Sequence, residues 1–196
     1  MSASTTDQQQ QAQRDFPPAA LRDILEKVTT LLKSRGETIS IAETAAGGLI
    51  SSSLLSVSGA SKFYAGGLTL YTLPSRQNYV GWTDEDTANY RGPTTEIVSK
   101  MAKNVRADLK STYTLSESGT AGPTGGNTPN RTPGYVALAV DSERGCYTRE
   151  LQTNSSDRVT NMVRFAEEGL KLLLDVLQGE SRGAYDGKGF HSASKA

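Results

Sequence analysis

Apolar residues along the chain recur at helical spacing in several segments, and short β-branched or alternating runs lie between them. Leu21, Val28 and Leu32 belong to the first apolar stripe, and Gly36 marks its end. The pattern predicts helices over 19–35, 47–57 and 74–80, from Thr94 to Leu109, and from an Asp157 cap to Leu177. It predicts strands over 38–42, 67–72, 112–117, 135–140 and 146–152.

Helices and strands alternate in the first part of the chain, and the last two strands form a hairpin around "DSERG". This order predicts a layered α/β domain with a mixed sheet over 19–178. Residues 1–18 are polar and Gln-rich, so we expect a disordered tail. Residues 179–196 are rich in Gly, Ser and Lys without apolar periodicity, so we expect a second flexible tail.

Composition removes several classes of function. The chain has 21 basic and 21 acidic residues, which argues against an electrostatic nucleic-acid binder. No apolar run reaches transmembrane length and no signal-peptide core is visible, so no membrane partner is expected. The single Cys146 fits a cytoplasmic protein. The single His191 argues against a Ser-His-Asp triad or a His-rich metal site. No cofactor is expected.

Two glycine-rich segments follow predicted strands. In "AETAAGG" at 42–48, Gly47 and Gly48 would let a ligand approach the backbone, next to the positive end of the following helix. A tight packing turn with Thr44 as a capping residue would have the same spacing. Ligands of α/β sheets gather at the carboxyl ends of strands, so this turn and "SGTAGPTGGN" at 118–127 could enclose one small anion. The second segment is also compatible with an ordinary long loop.

Two further side chains are candidates. Tyr71 could orient or deprotonate a hydroxyl, although a strand Tyr often serves packing alone. Arg158 at a helix start could bind phosphate, although surface arginines are commonly solvated.

Several motifs, in order, resemble the C-terminal domain of the CinA (competence/damage-inducible) family, which includes the nicotinamide mononucleotide deamidases. The family's "AES-C-T-GG" resembles "AETAAGG", and its "PGSS…F…G…TYSNEAK" resembles "SGASKFYAGGLTLYTLPSR" at 58–76. Its "SGIAGPxGG" resembles "SGTAGPTGG", its "KPVG" resembles "RTPGYVALAV", and its "GDR" resembles "SSDRV". The resemblance covers roughly residues 20–178, the size of one domain.

The resemblance implies a three-layer α/β/α sandwich, commonly in a homodimer or higher homo-oligomer, and a metal-free hydrolysis of nicotinamide mononucleotide to nicotinic acid mononucleotide and ammonia. Thr44 stands where the family has its nucleophilic Ser, Tyr71 matches the family Tyr, and Arg76 replaces the family Lys. Arg76 cannot act as a base but can favour the phenolate of Tyr71. The family's separate N-terminal domain is not expected, because few residues precede residue 20.

The resemblance assigns substrate binding to the two glycine segments. Backbone N–H groups near Ala46, Gly47 and Gly48 would stabilise an oxyanion. Ribose and phosphate would be held by Thr120, Ala121, Gly122, Gly125, Gly126 and Arg158. Two functions stay open: an amidohydrolase, or a catalytically weakened binding or sensor protein, which the changes at positions 44 and 76 favour.

Overall fold

The computed structural model describes residues 15–179, 184–185 and 190–191. The predicted tails over 1–18 and 179–196 lie largely outside these residues and stay predictions. The helices are α1 (Arg22–Arg35), α2 (Leu49–Leu55), α3 (Leu73–Val80), α4 (Asp84–Asn89), α5 (Thr95–Leu109) and α6 (Arg158–Gln178). The strands are β1 (Ile39–Glu43), β2 (Tyr64–Thr69), β3 (Tyr113–Gly119), β4 (Tyr135–Ser142), β5 (Gly145–Gln152), β6 (Ala184–Tyr185) and β7 (Phe190–His191).

The strands form one mixed sheet in the order β2-β1-β3-β4-β5-β6-β7. β1 lies between β2 and β3 and pairs parallel with both, with Ile41 opposite Gly67 and Leu115. β3, β4 and β5 pair antiparallel. The mixed sheet predicted from the order of elements is therefore confirmed, and the carboxyl ends of β1 and β3 lie side by side.

Helices cover both faces of the sheet. On one face α1, α2 and α6 enclose the main core, to which Leu32, Ile41 and Phe165 contribute fully buried side chains. On the other face α5 packs on β1, β3 and β4, with α3 beside it. Full burial of such a side chain stabilises the fold by about 1.5–3 kcal/mol. The arrangement is the predicted three-layer α/β/α sandwich.

Two local predictions need correction. The strand expected over 67–72 is β2 at Tyr64–Thr69, because its pairing ends where β1 ends, at Glu43 opposite Thr69. Tyr71 consequently lies beyond the strand. Helix α4 was not predicted, although "TDED" carries its signal: Thr83 and Asp86 form a capping box at its start.

Within the described residues, none of the helices combines the length and the apolar character needed to span a bilayer.

Candidate functional site

A pocket of about 290 Å³ opens at the carboxyl ends of β1 and β3. It is lined by Thr44, Ala45, Tyr71, Arg76, Tyr90, Gly92, Pro93, Gly119, Thr120, Ala121, Gly122, Thr124, Gly125, Arg131 and Arg158. The carboxyl end of a parallel pair is where α/β sheets bind ligands. The lining contains three arginines and, in the part of the chain that is described, no carboxylate, so the pocket suits an anion.

Most residues singled out from the sequence come together here. Those that line the pocket are Thr44, Tyr71, Arg76, Thr120, Ala121, Gly122, Gly125 and Arg158. Ala46, Gly47, Gly48 and Gly126 were also expected to touch substrate, but they are not in the pocket wall. The two glycine segments therefore contribute unequally to the site.

Thr44 is held by two neighbours on β3. Its hydroxyl donates a hydrogen bond to Oγ of Ser118 at 3.2 Å, and its N–H donates to Oε2 of Glu117 at 3.0 Å. The N–H of Ala46 donates to the same carboxylate oxygen at 2.9 Å. The carboxylate thus occupies a backbone donor that the sequence assigned to an oxyanion.

The two glycines of this turn serve the entry into α2. Both have positive φ, 70° at Gly47 and 97° at Gly48, a conformation that glycine adopts without strain. A Cβ at Gly47 would lie 2.8 Å from the Met162 methyl group, so the close approach there is to α6. The first free N–H groups of α2 are bound by Glu43, whose carboxylate accepts from Ile50 at 3.1 Å and Ser51 at 3.0 Å.

Glu117 is fully buried beneath this turn. Burial raises the pKa of its carboxyl group to about 7, against the lowering effect of the N–H groups of Ala46 and Thr44; Glu43 raises this pKa further, and Arg76 lowers it with the smallest effect. Its Oε1 has no hydrogen-bond partner among the described residues. Glu117 is close to a charge change near neutral pH, directly behind the Thr44 backbone.

Arg76 is buried although it is charged, with 6% of its surface exposed. The guanidinium carbon lies 4.9 Å from the centroid of the Trp82 ring and 5.0 Å from that of Tyr90, within cation–π distance of both. Its Nε and Nη1 atoms form no hydrogen bond within the described part of the chain. The residue is a preoriented cation in the pocket wall without a protein acceptor for these two donors.

The loop after β3 is fixed by a hydrogen bond within its own backbone and by side chains of α6. Arg158 donates from Nη1 to the carbonyl oxygen of Gly122 at 2.9 Å, and buried Asn161 donates to the carbonyl of Ala121 at 2.8 Å. The N–H of Gly126 donates to the carbonyl of Arg131 at 2.7 Å. The side chains of Arg131 and Arg158 are exposed at the pocket, so the loop and its two arginines form an open cationic rim.

Tyr71 lines the pocket with 74% of its surface exposed. In the described residues no hydrogen bond joins Tyr71 to Thr44, whose hydroxyl is bonded to Ser118, so direct proton transfer between Thr44 and Tyr71 requires movement of at least one side chain.

Sequence reasoning missed Glu117, Ser118, Tyr90 and Arg131. "TLSES" did carry a signal, because an acidic residue inside a strand that is otherwise buried needs a specific partner. Arg131 and Tyr90 carried no local signal, because the fold alone brings them to the pocket.

Comparison with known proteins shows the family of this chain. The model of the CinA C-terminal domain family matches residues 21–177. A CinA-like protein of Amoebophilus asiaticus is 34% identical over 157 residues, covering 80% of this chain and 37% of the relative. One from Shewanella piezotolerans is 35% identical over 143 residues, covering 72% of this chain and 34% of the relative. The chain thus spans about a third of the length of these relatives.

Solved structures show the same fold. The competence/damage-inducible protein CihA of Agrobacterium tumefaciens superimposes with a TM-score of 0.76 at 22% identity, covering 82% of this chain and 97% of that chain. A competence or damage-inducible protein of Enterobacter asburiae gives 0.73 at 24% identity, covering 79% and 96%. With the family model matched over nearly the whole described region, the chain belongs to the CinA C-terminal domain family.

Proposed function

We propose that the pocket binds a pyridine mononucleotide and that the protein hydrolyses its carboxamide, converting nicotinamide mononucleotide to nicotinic acid mononucleotide and ammonia. One observation carries the proposal: the hydroxyl-bearing side chains of Thr44 and Tyr71 share a pocket with three arginines. A phosphate and a reacting amide can therefore be held in one cavity.

The exposed rim binds the phosphate. Arg158 and Arg131 supply fixed positive charge there, and charge-assisted hydrogen bonds of this kind are about twice as strong as neutral ones. Thr120, Ala121, Gly122 and Gly125 line the wall beside them and contact the ribose. The pyridine ring then points to Thr44.

At that end Thr44 is the nucleophile. Its hydroxyl oxygen attacks the amide carbon, its proton passes to Tyr71, and the tetrahedral intermediate expels ammonia with that proton. Water then hydrolyses the Thr44 ester and releases the carboxylic acid. Ala45 lines the pocket and has an N–H without a bonded partner in the described structure, so it replaces Ala46 as the proposed oxyanion donor. Glu117 is a positioning residue, because it holds the N–H groups of Thr44 and Ala46 without entering the pocket.

A second function, nucleotide binding without turnover, is favoured by two observations. Arg76 stays charged and cannot relay a proton, and the Ala46 N–H is already bonded to Glu117. Both features leave binding intact while weakening chemistry.

Ammonia release from nicotinamide mononucleotide by the purified chain separates the two. The hydrolase produces ammonia and nicotinic acid mononucleotide in equal amounts, and Thr44→Ala produces neither. A binding protein shows a higher melting temperature with the nucleotide but no ammonia in either form. Absence of both ammonia and a melting shift would refute the pocket assignment itself.

We also propose that the protein works in the cytoplasm as a homo-oligomer. The first part is supported by its single, buried cysteine, the second by the resemblance to the family. Sedimentation at micromolar concentration would yield a mass above the 20.9 kDa of one chain, and a monomer alone would contradict the second part.

A further inference from the structure

Buried charges near the pocket are compensated in different ways. Glu43 accepts two N–H groups of α2, and Glu117 accepts two N–H groups of the turn and has a pKa near neutrality. Arg76 cannot lower its charge in this way, because a guanidinium does not lose its proton at physiological pH. The ring faces of Trp82 and Tyr90 attract the cation, yet neither residue accepts a hydrogen bond from its Nε or Nη1 atom. Of these buried charges, only that of Arg76 meets no hydrogen-bonding counter-group in the described residues.

The position of Arg76 separates it from the other two arginines. Arg76 lies on α3, the helix that follows β2, and β2 ends with Thr69 opposite Glu43, the residue before Thr44. Arg76 therefore belongs to the Thr44 end of the pocket. Arg158 is bonded to Gly122, and Arg131 packs against Gly126, so both belong to the loop at the rim. The cavity therefore has two cationic positions, one exposed and one buried.

Resting on the proposed function, we propose that the preferred occupant of this pocket is a dianionic ligand, a pyridine mononucleotide whose ring carries a carboxylate rather than a carboxamide. The rim arginines bind its phosphate and Arg76 binds its carboxylate. A neutral carboxamide brings no hydrogen-bonding counter-charge to the buried guanidinium, whereas a carboxylate brings one and can accept charge-assisted hydrogen bonds from it. The protein then holds the acid form tightly, as a retained product in a hydrolase or as the recognised ligand in a sensor.

The test is isothermal titration of wild-type protein with nicotinic acid mononucleotide, nicotinamide mononucleotide and the two ribosides that lack phosphate. Chromatography of the nucleotide after each titration verifies that the amide is intact. The acid is expected to bind at least about tenfold more tightly than the amide in both pairs, a ratio that corresponds to about 1.4 kcal/mol. Arg76→Gln is expected to bring both ratios to within about twofold.

Two other variants serve as controls. Arg158→Gln should weaken both mononucleotides alike and leave their ratio unchanged, and Arg22→Gln, far from the pocket and exposed, should change nothing. An acid-to-amide preference of one or less in the wild type overturns the inference without any variant, and so does a preference that survives in Arg76→Gln. Equal binding of both mononucleotides refutes the inference and leaves the nucleotide pocket standing, whereas binding of none of the four compounds refutes the proposed function as well.

Discussion

The turn after β1 and the loop after β3 are both rich in glycine and both end a strand, yet their backbones face different partners. In the turn the N–H groups of Thr44 and Ala46 bond to Glu117, and Gly47 lies against Met162. In the loop Gly122 and Gly125 line the pocket. The turn holds the Thr44 hydroxyl by a hydrogen bond to Ser118, and the loop provides the open wall on which a ligand can lie.

Glycine is common to both segments, so it does not explain why their backbones face different partners. The carboxylate of Glu117 explains the difference. A buried acidic side chain beneath the turn saturates its backbone donors from inside the fold. No acidic side chain of the described residues lines the loop, which carries arginines at its surface. The internal carboxylate therefore leaves the two backbone donors of the turn unavailable to an anion, whereas the loop presents arginine side chains at the pocket.

The largest effect is expected at Thr44, whose hydroxyl-bearing side chain lines the pocket. Thr44→Ala removes the proposed nucleophile and should lower amide hydrolysis by at least about 10³-fold, as loss of a nucleophile does elsewhere. The Oγ of Ser118 loses one partner, so the free energy of unfolding should fall by only about 1 kcal/mol. Steady-state ammonia release and urea unfolding measure the two quantities. If Thr44→Ala hydrolyses the amide like the wild type, Thr44 is part of the scaffold alone.

Glu117→Gln tests whether ionisation of the buried Glu117 carboxylate lowers the free energy of unfolding. Its pKa in the folded protein, about 7, is above the ordinary 4.5, so between these values the folded state holds more protons than the unfolded state. Stability of the wild type should therefore fall as pH rises from about 4.5 to about 7, by roughly 3 kcal/mol, and stay level above. The Gln variant keeps an oxygen for the two N–H groups and lacks this loss.

Urea unfolding of both proteins at pH values below and above this window measures the difference. The free energy of unfolding of Glu117→Gln should exceed that of the wild type only at pH values above this window. Glu26→Gln, on the exposed face of α1, should show no such pH dependence. A gap between variant and wild type that is equal on both sides would mean that Glu117 does not titrate there.

A pair of glycine substitutions sharpens the contrast between turn and loop. At Gly122, φ is +87° and a Cβ would lie 2.7 Å from the backbone oxygen of Ser156, which cannot move freely. At Gly47, φ is +70° and the contact is the end of a flexible Met side chain. We expect Gly122→Ala to cost about 2–3 kcal/mol and to weaken nucleotide binding, and Gly47→Ala to cost about 1–2 kcal/mol. Binding by Gly47→Ala should stay within about twofold of the wild type; a larger loss would return Gly47 to the ligand site.

The layers and the mixed sheet followed from the sequence, because periodicity reports which face of each element is buried. α6 illustrates this, since its apolar stripe from Phe165 to Leu177 is the stripe that packs on the sheet. The end of β2 was wrong by three residues, because "GLTLYT" alternates beyond the point where β1 stops offering partners. The position at which a strand ends therefore depends on its pairing partner as well as on its own sequence.

The site was predictable in its outline and unpredictable in its charges. Thr44, Tyr71 and Arg158 were found because motifs place them at strand or helix ends. Arg76 lies against the rings of Trp82 and Tyr90, which come just before and just after α4, the helix that was missed. The spacing of residues along the chain does not indicate such contacts. The sequence therefore predicted that Arg76 favours the phenolate of Tyr71, and not that it is a buried cation without a hydrogen-bond acceptor.

The smallest effect concerns the two departures from the family pattern together. Thr44→Ser removes a methyl group from a nearly closed position, and Arg76→Lys exchanges a fixed charge for one that can lose its proton when desolvated. General acid–base help contributes typically about 10²–10⁴-fold, so a partial recovery in the double variant should raise amide hydrolysis by at least about tenfold. Arg76→Lys alone should contribute most of this increase, because Thr44 already offers a hydroxyl.

Single-turnover measurement with nicotinamide mononucleotide separates faster chemistry from faster product release. If the double variant binds the nucleotide and its single-turnover rate stays at the wild-type value, the barrier lies in the Glu117-bonded turn, where the Ala46 donor is already occupied, and nucleotide binding is the function that remains.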